Sequence, residues 1–326
     1  MTAPTNTASA VSHRIGATGR FTLRIPSGDV TITATDSDVA TVRDMDGRSL
    51  ADRFEIGTAD GSLELVARQR PGLTFAIGHH EFGSGGALDL DIEVPALATV
   101  VVDTASADVL GKGLRGPKRF RTASGDLVLE ATAGDIELDA VSGDVRVDAT
   151  GVIDVHGKSI SGDVRVRAPR LDRFDMATTS GDLWLDAELS GKGPFSIRSI
   201  SGDVTIVARA GLQVDAQSIT GDLLSEVAHV RQSSPGKKHL VIGRPVATLA
   251  FKSVSGDLQI VEARDQQVRA MTDSDFPGRP GGSEPTPESP AADAAETNRL
   301  EILRSLERGE IDVETATKRL AALEVA

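Results

Sequence analysis

The stretch "AVSGDVRVDA" (140–149) recurs along the chain with little change. Close copies are "SISGDVRVRA" (159–168), "TTSGDLWLDA" (178–187) and "SISGDVTIVA" (199–208). Each combines a Ser-Gly-Asp triplet with a short run in which aliphatic and polar residues alternate. Such a triplet indicates either the same turn in every structural repeat or a column of carboxylates that holds metal ions.

The triplets recur at nearly constant spacing. Their aspartates lie at 126, 144, 163, 182, 203 and 222, with steps of 18, 19, 19, 21 and 19 residues. Asp108 lies 18 residues before this series, and Asp257 lies 35 residues after it. The interval of 35 residues equals one step plus an insertion, which we place within 228–243. A period near 20 residues predicts a solenoid, in which successive coils stack. The sequence therefore predicts an all-β parallel β-solenoid, or β-helix, with coils of about 19 residues.

Each coil is predicted to contain two short strands, because Asp135 lies nine residues from both Asp126 and Asp144. Alternation along a strand separates inward from outward side chains. We expect Arg146, Arg165, Trp184 and Thr205 to face outward. We expect the aliphatic residues around each triplet to face inward: Val141, Val145, Val147, Ile160, Val164, Val166, Leu183, Leu185, Ile200, Val204, Ile206 and Ile219. Two-faced and three-sided cross-sections, and either handedness, remain open.

The chemistry of the triplet favours a recurring turn. Glycine reaches positive φ without steric cost, and Ser and Asp side chains bond backbone N–H groups in turns. Calcium-binding solenoids use two glycines per turn, whereas this triplet has one. A column of carboxylates about 4.8 Å apart repels itself unless it is solvated, bonded or bridged by cations, so a calcium-stabilised rod is the alternative. The predicted turn residues are Gly125, Asp126, Gly143, Asp144, Gly162, Asp163, Gly181, Asp182, Gly202, Asp203, Gly221, Asp222, Gly256 and Asp257.

Composition excludes several classes of protein. Hydrophobic residues make up 39% of the 326 residues but aromatic residues only 3%, so the core is aliphatic. The net charge of −13 argues against binding to nucleic acid or anionic membranes, which require clustered cations. The absence of cysteine excludes disulfides and thiolate metal sites. The N-terminus lacks the pattern of a signal peptide and no long apolar stretch follows, so we expect a cytoplasmic protein.

The regions before the repeats divide into two predicted segments. Residues 1–12 are predicted to be disordered, and residues 13–103 to form a β cap that leads into the solenoid at 104–262. A loop at 78–86 contains His79, His80 and Glu81. Adjacent residues on a strand point to opposite faces, so a solvated loop is favoured there over a metal site.

The C-terminal part has a different composition. Residues 263–297 are rich in Pro, Gly and Ser and are predicted to be a flexible linker. Residues 298–326 are predicted to form a helical hairpin around Gly309, with Asp312 as the N-cap of its second helix. Its apolar stripes are Leu300, Leu303 and Leu306, then Val313, Ala316, Leu320 and Leu323. Two helices of this size barely bury a core. We therefore predict contact with a protein partner, or self-association, through Leu303, Leu306, Val313 and Leu320.

Two features predicted to face outward are candidate binding or catalytic sites. Trp184 either anchors a partner or packs across neighbouring coils, and packing is the commoner role. A column of outward acids, with Arg167 among them, is typical of a solvated ion-pair surface rather than of a catalytic pair. These acids are Glu130, Asp139, Asp148 and Asp186.

The recurrent "SGD(V/L)x(V/I/L)" pattern and the "DIEVP" strand (91–95) resemble a bacterial β-strand-repeat domain of unknown function, labelled "putative adhesin". The resemblance covers residues 13–262. The closing "ILRSLERGEIDVETATKRLAAL" (302–323) is similar to helical hairpins of the SHOCT type. The resemblance implies a β-solenoid and, for some relatives, roles in cell-envelope stress, and it carries over no catalytic residue.

These observations favour a non-enzymatic structural or interaction protein, with no catalytic residue, cofactor or metal ion. Two alternatives remain. One is a carbohydrate-binding or polysaccharide-processing β-helix, which would need converging carboxylates in a groove. The other is the calcium-stabilised rod.

Overall fold

The computed structural model describes residues 5–7, 9–68, 74–77, 80–83, 87–234 and 237–263. This part of the chain is nearly all β, with one helix of four residues, α1 (Leu50–Arg53). No helix within the described ranges is long and apolar enough to cross a membrane. The predicted hairpin 298–326 and all but the first residue of the predicted linker lie outside the described residues.

The N-terminal region contains ten strands. They are β1 (Thr5–Thr7), β2 (Ala10–Arg14), β3 (Arg20–Thr35), β4 (Val39–Asp44), β5 (Phe54–Ala59), β6 (Ser62–Ala67), β7 (Thr74–Ile77), β8 (His80–Gly83), β9 (Leu90–Pro95) and β10 (Thr99–Lys112). The prediction of disorder over 1–12 is wrong for part of this range, because β1 pairs antiparallel with β2.

The repeat region contains nine strands. They are β11 (Lys118–Ser124), β12 (Leu127–Ala140), β13 (Val145–Ser159), β14 (Val164–Ser180), β15 (Leu183–Leu189), β16 (Phe195–Ser201), β17 (Val204–Ala208), β18 (Leu212–Ser218) and β19 (Leu223–Ser225). Four more strands complete the described chain: β20 (His229–Ser234), β21 (Lys237–Ile242), β22 (Ala247–Ser255) and β23 (Leu258–Glu262).

Strands of successive coils pair in parallel on two faces. Face A is built from the segments that follow each Ser-Gly-Asp triplet, where Val145 pairs with Val164. Face B is built from the segments that precede it, where Ile136 pairs with Val155. The two faces meet at the triplet, which we call the SGD corner, and at an opposite corner. There the register between β12 and β13 shifts between Glu130 and Gly134.

The core lies between the faces and consists of stacked columns of aliphatic side chains. The residues that directly follow each triplet aspartate alternate as predicted: Val145 and Val147 are buried, and Arg146 between them is half-buried. Burying each such aliphatic side chain contributes roughly 1.5–3 kcal/mol before conformational entropy is subtracted. One coil cannot bury this surface alone, so the stack is the stable unit.

Four residues predicted to face inward are exposed. Val141, Ile160, Ile200 and Ile219 have exposed fractions of 40%, 51%, 53% and 79%. The last inward residue of face B lies one position earlier, at Ala140, Ser159, Ser199 and Ser218. Val141, Ile160 and Ile219 directly follow the end of a strand, and Ile200 is the next-to-last residue of β16 on its outward side, so all four side chains point to solvent.

The order of the coils along the stack differs from their order in the chain at both ends. β3 lies between β6 and β9 on one side and β10 on the other. Likewise, the coil of β22 and β23 lies between β16 and β17 on one side and β18 and β19 on the other. The stack therefore includes Arg20–Thr35, which lies within the segment predicted as a cap. The first and last coils that contain a triplet each lie between two other coils of the stack.

Antiparallel strands cover the ends of the stack. At the N-terminal end, β4 pairs with β9 and β5 pairs with β6. At the other end, β21 pairs with β18 and β20 pairs with β21. The hairpin of β20 and β21 is the insertion that the sequence placed within 228–243. These strands cap sheet edges that would otherwise expose unpaired N–H and C=O groups.

The close stacking of the SGD corners gives a first prediction. Gly162 has φ +110°, and a Cβ added there would lie 2.2 Å from the Gly143 carbonyl oxygen. Gly162→Ala should therefore lower the free energy of unfolding by clearly more than the about 1–2 kcal/mol that positive φ alone costs, because a backbone clash adds to the backbone strain. Urea unfolding measures the loss.

Gly47→Ala is the matched control, since Gly47 has φ +72° with no atom within 4 Å of the added Cβ. It should show only the cost of the backbone conformation, about 1–2 kcal/mol. Equal losses for the two variants would contradict the close approach of the turns.

Candidate functional site

The triplet aspartates form a ladder of side-chain hydrogen bonds along the SGD corner. From Asp126 onward in the stack, the backbone N–H of each aspartate donates to the carboxylate Oδ1 of the aspartate in the preceding coil, at 2.7–2.9 Å. We call this series the Asp ladder; its members in stacking order are Asp108, Asp126, Asp144, Asp163, Asp182, Asp203, Asp257 and Asp222.

The ladder explains why every coil carries an aspartate. The chain bends at the corner, so the aspartate N–H takes a side-chain carboxylate as its acceptor in place of a carbonyl oxygen of the sheet. The carboxylate one coil below supplies a charge-assisted acceptor for this N–H. Within the described ranges, no group of three or more His, Asp or Glu side chains could hold a metal ion.

A row of exposed aliphatic side chains runs beside the Asp ladder. We call it the aliphatic stripe: in stacking order it comprises Val141, Ile160, Ile200, Val254 and Ile219. Thr179 occupies the position between Ile160 and Ile200, as the neighbouring register pairs show. Since parallel strands stack about 4.8 Å apart, five steps give a row about 24 Å long. An exposed row of aliphatic side chains on one edge, interrupted at Thr179, is the kind of patch that marks an interaction surface.

Opposite charges flank the aliphatic stripe. On face B, Lys158, Arg198 and Lys252 each lie two residues before a stripe residue, are exposed and share one column. We call these three residues the basic column. On the other side, the Asp ladder lies three residues after each stripe residue. Three coils thus repeat the same order across the corner: basic, aliphatic, acidic.

Trp184 lies half-buried on face A. The guanidinium carbons of Arg165 and Arg167 lie 5.7 Å and 5.5 Å from its ring centroid. Arg165 belongs to the neighbouring coil and pairs with Trp184 in register. These are cation–π contacts across coils, which correspond to the packing role rather than to an exposed anchor.

The predicted column of outward acids is partly wrong. Glu130, Asp148, Arg167 and Asp186 do share one column of face A. Asp139 belongs instead to face B, because it precedes the triplet, and it pairs with Arg121 at 3.2 Å. Asp186 is buried and bonded to Arg209, with Arg167 at 3.7 Å. The arrangement is an ion-pair ladder that connects coils.

A cleft of about 580 Å³ opens along the start of the face B strands. Its charged lining is largely paired: Arg119 donates to Glu137, and His156 Nδ1 lies 3.3 Å from Asp175 Oδ2. The hydrogen bond from Arg119 lowers the pKa of the Glu137 carboxyl. Burial, followed by the charge of Asp135, raises the pKa of Asp154.

Lys118 lines this cleft and is not among the functional residues predicted from the sequence. It occupies an inward position of face B and is 3% exposed, with Nζ 2.6 Å from the carbonyl oxygen of Ala133. Burial lowers its pKa from 10.5 to about 8, and the charge of Asp135 opposes this shift. The register could have revealed it, because Lys118 lies one 18-residue step before the inward Ile136.

Several predicted contact residues cannot be placed. Leu303, Leu306, Val313 and Leu320 of the predicted hairpin, and His79, lie outside the described residues. His80 and Glu81 belong to β8, which pairs antiparallel with β7.

The fold and this surface define a class: an all-β repeat domain of stacked two-strand coils, with an aspartate ladder at one corner. A family model described as Toastrack DUF4097 matches residues 20–261. The chain belongs to this family. The match covers all coils from β3 to β23.

The matching solved structures have little sequence identity with this chain. A "putative adhesin" from Bacteroides fragilis is 11% identical, covers 77% of this chain and 95% of its own, and has a TM-score of 0.44. A "putative lipid binding protein" from Parabacteroides distasonis is 12% identical over 78% of this chain and 96% of its own, with a TM-score of 0.41. Among curated proteins, no match was found.

The Asp ladder gives a second prediction. Asp163→Ala removes the acceptor for the Asp182 N–H and should lower the free energy of unfolding by about 1–3 kcal/mol. Asp163→Asn keeps an acceptor oxygen and should retain most of the stability. Asp36→Ala, at an exposed aspartate without a hydrogen bond in the described part of the chain, is the control and should change little. Equal stability of the Ala and Asn variants at 163 would contradict the role of the ladder.

Lys118 gives a third prediction. Between pH 8 and 10.5 the unfolded chain binds a proton at this amine that the folded chain has released, so stability rises with pH there. The free energy of unfolding of the wild type, minus that of Lys118→Met, should therefore increase by up to about 3 kcal/mol across this range. Lys158→Met is the control, because Lys158 is exposed, and its difference should stay flat. A flat curve for Lys118→Met as well would show that Lys118 is not buried.

Proposed function

We propose that this protein is a non-enzymatic interaction protein, whose repeat domain is a rigid rod that binds other protein chains through its SGD corner. The observation that carries the proposal is the aliphatic stripe. Burial of such exposed aliphatic side chains by a partner lowers the free energy, because the partner removes them from water.

The other surfaces support the same assignment. On face A, Asp186 is bonded to Arg209 and Arg165 and Arg167 lie over Trp184, so these side chains are engaged with neighbouring coils. In the cleft, Arg173 and Asp154 lie 3.9 Å apart, and Arg119 and Glu137 are bonded. Charges that satisfy one another between coils stabilise the rod. The aliphatic stripe has no such partner among the described residues.

The C-terminal hairpin is a second element of the proposal. Its predicted apolar positions, Leu303, Leu306, Val313 and Leu320, would add a contact for a partner or for self-association at the end of the linker. A cytoplasmic location belongs to the proposal as well.

Affinity capture from native cells tests the role of the stripe. Ile160→Lys combined with Ile200→Lys should reduce the amount of specifically captured protein about tenfold or more, since each buried aliphatic side chain contributes roughly 1.5–3 kcal/mol. The thermal midpoint should stay unchanged, because both side chains are exposed.

Leu97→Lys combined with Val152→Lys is the matched control. These residues are 51% and 39% exposed and lie away from the stripe. Capture should persist in this variant. Undiminished capture by the stripe variant would overturn the proposal.

A further inference from the structure

We propose that the partner of the aliphatic stripe is the aliphatic stripe of a second copy of this chain, with the two rods parallel. This inference rests on the proposed function and names its partner. It is carried by the charges on either side of the stripe and by the constant spacing of the coils.

Each of three coils presents the same sequence of groups across the SGD corner. One coil carries Lys158, Ile160 and Asp163; the second carries Arg198, Ile200 and Asp203; the third carries Lys252, Val254 and Asp257. The register places these coils in one stack, with the basic, aliphatic and acidic members in separate columns. Over these three coils the surface is therefore basic on one side of the stripe and acidic on the other, although Arg198 also bonds to Asp175 and the corresponding position beside Val141 is Asp139.

Two-fold symmetry permits two ways of placing one stripe on another. If the two-fold axis runs along the stack, the basic column of each copy faces the Asp ladder of the other. If the axis runs across the stack, acid faces acid and base faces base. Opposite charges a few ångströms apart attract and like charges repel, so the charge pattern selects the first arrangement, in which the rods are parallel.

In the parallel arrangement, equivalent coils lie at the same height. Ile160 then meets Ile160 of the second copy, and Lys158 of each copy faces Asp163 of the other. A closed isologous pair of this kind is the commonest form of homo-oligomer, and it uses the same patch on both copies. The ladder hydrogen bonds are made by Oδ1 and leave each carboxylate its negative charge.

Single cysteines test this geometry directly, because the full chain contains no cysteine. Under mild oxidation, Ile160→Cys should form a disulfide-linked dimer with itself, and so should Ile200→Cys. A mixture of the two variants should give no mixed dimer. Their coils lie two steps apart, about 10 Å, and disulfides do not form when the Cα atoms are more than about 7 Å apart. Non-reducing electrophoresis measures the products.

Val152→Cys is the matched control, since Val152 is a 39% exposed aliphatic residue at the opposite corner. It should remain unlinked. Sedimentation of the unsubstituted full chain should show a reversible dimer. Lys158→Glu with Lys252→Glu should raise its dissociation constant about tenfold or more, because two attractive contacts per copy become repulsive.

The outcomes separate this inference from the proposed function. A monomeric full chain, or linkage of Val152→Cys equal to that of Ile160→Cys, would overturn the inference. So would a preferred mixed dimer of Ile160→Cys and Ile200→Cys, which indicates antiparallel rods. If the chain is monomeric while the stripe variant loses a captured protein of another kind, the proposed function stands and only the second copy is rejected.

Discussion

The Asp ladder sets the register of the stack. In it, the N–H of one aspartate donates to the carboxylate of the aspartate one coil below. It requires an aspartate once per coil and a turn tight enough to bring consecutive corners into contact. At Gly162 this contact leaves no room for a Cβ. The corner thereby holds the coils in register, and the register in turn places every outward column, including the aliphatic stripe.

The period of the triplets and the alternation after each aspartate could be read from the sequence, because both follow from local rules. The pairing of Val145 with Val164 is an example, since equal spacing and alternation together determine it. The exposure of Ile160 could not be read in this way. An aliphatic residue beside a turn fits either side of the alternation, and only the exact start of the bend decides between them.

The order of the coils also could not be predicted from spacing. The 35 residues between Asp222 and Asp257 equal one coil plus a hairpin, and this count does not show on which side of Asp222 the next coil lies. The inward position of Lys118 could be read from the register, because the next coils hold Ile136 and Val155 there, but the sequence does not show the cleft beside it. Its environment depends on the cleft, whose lining comes from many coils, from that of Arg20 to that of Pro194.

The interior placement of the first and last triplet-containing coils changes how the rod comes apart. Linear repeat arrays commonly unravel from their ends, one repeat at a time. Here a force on the C-terminal end of the described chain acts on β22 and β23, which pair with strands of the coils on both sides. Extracting them requires shearing two rows of hydrogen bonds at once. Tension on the C-terminal end of the described chain therefore acts against two interfaces at once, whereas a terminal repeat would have only one.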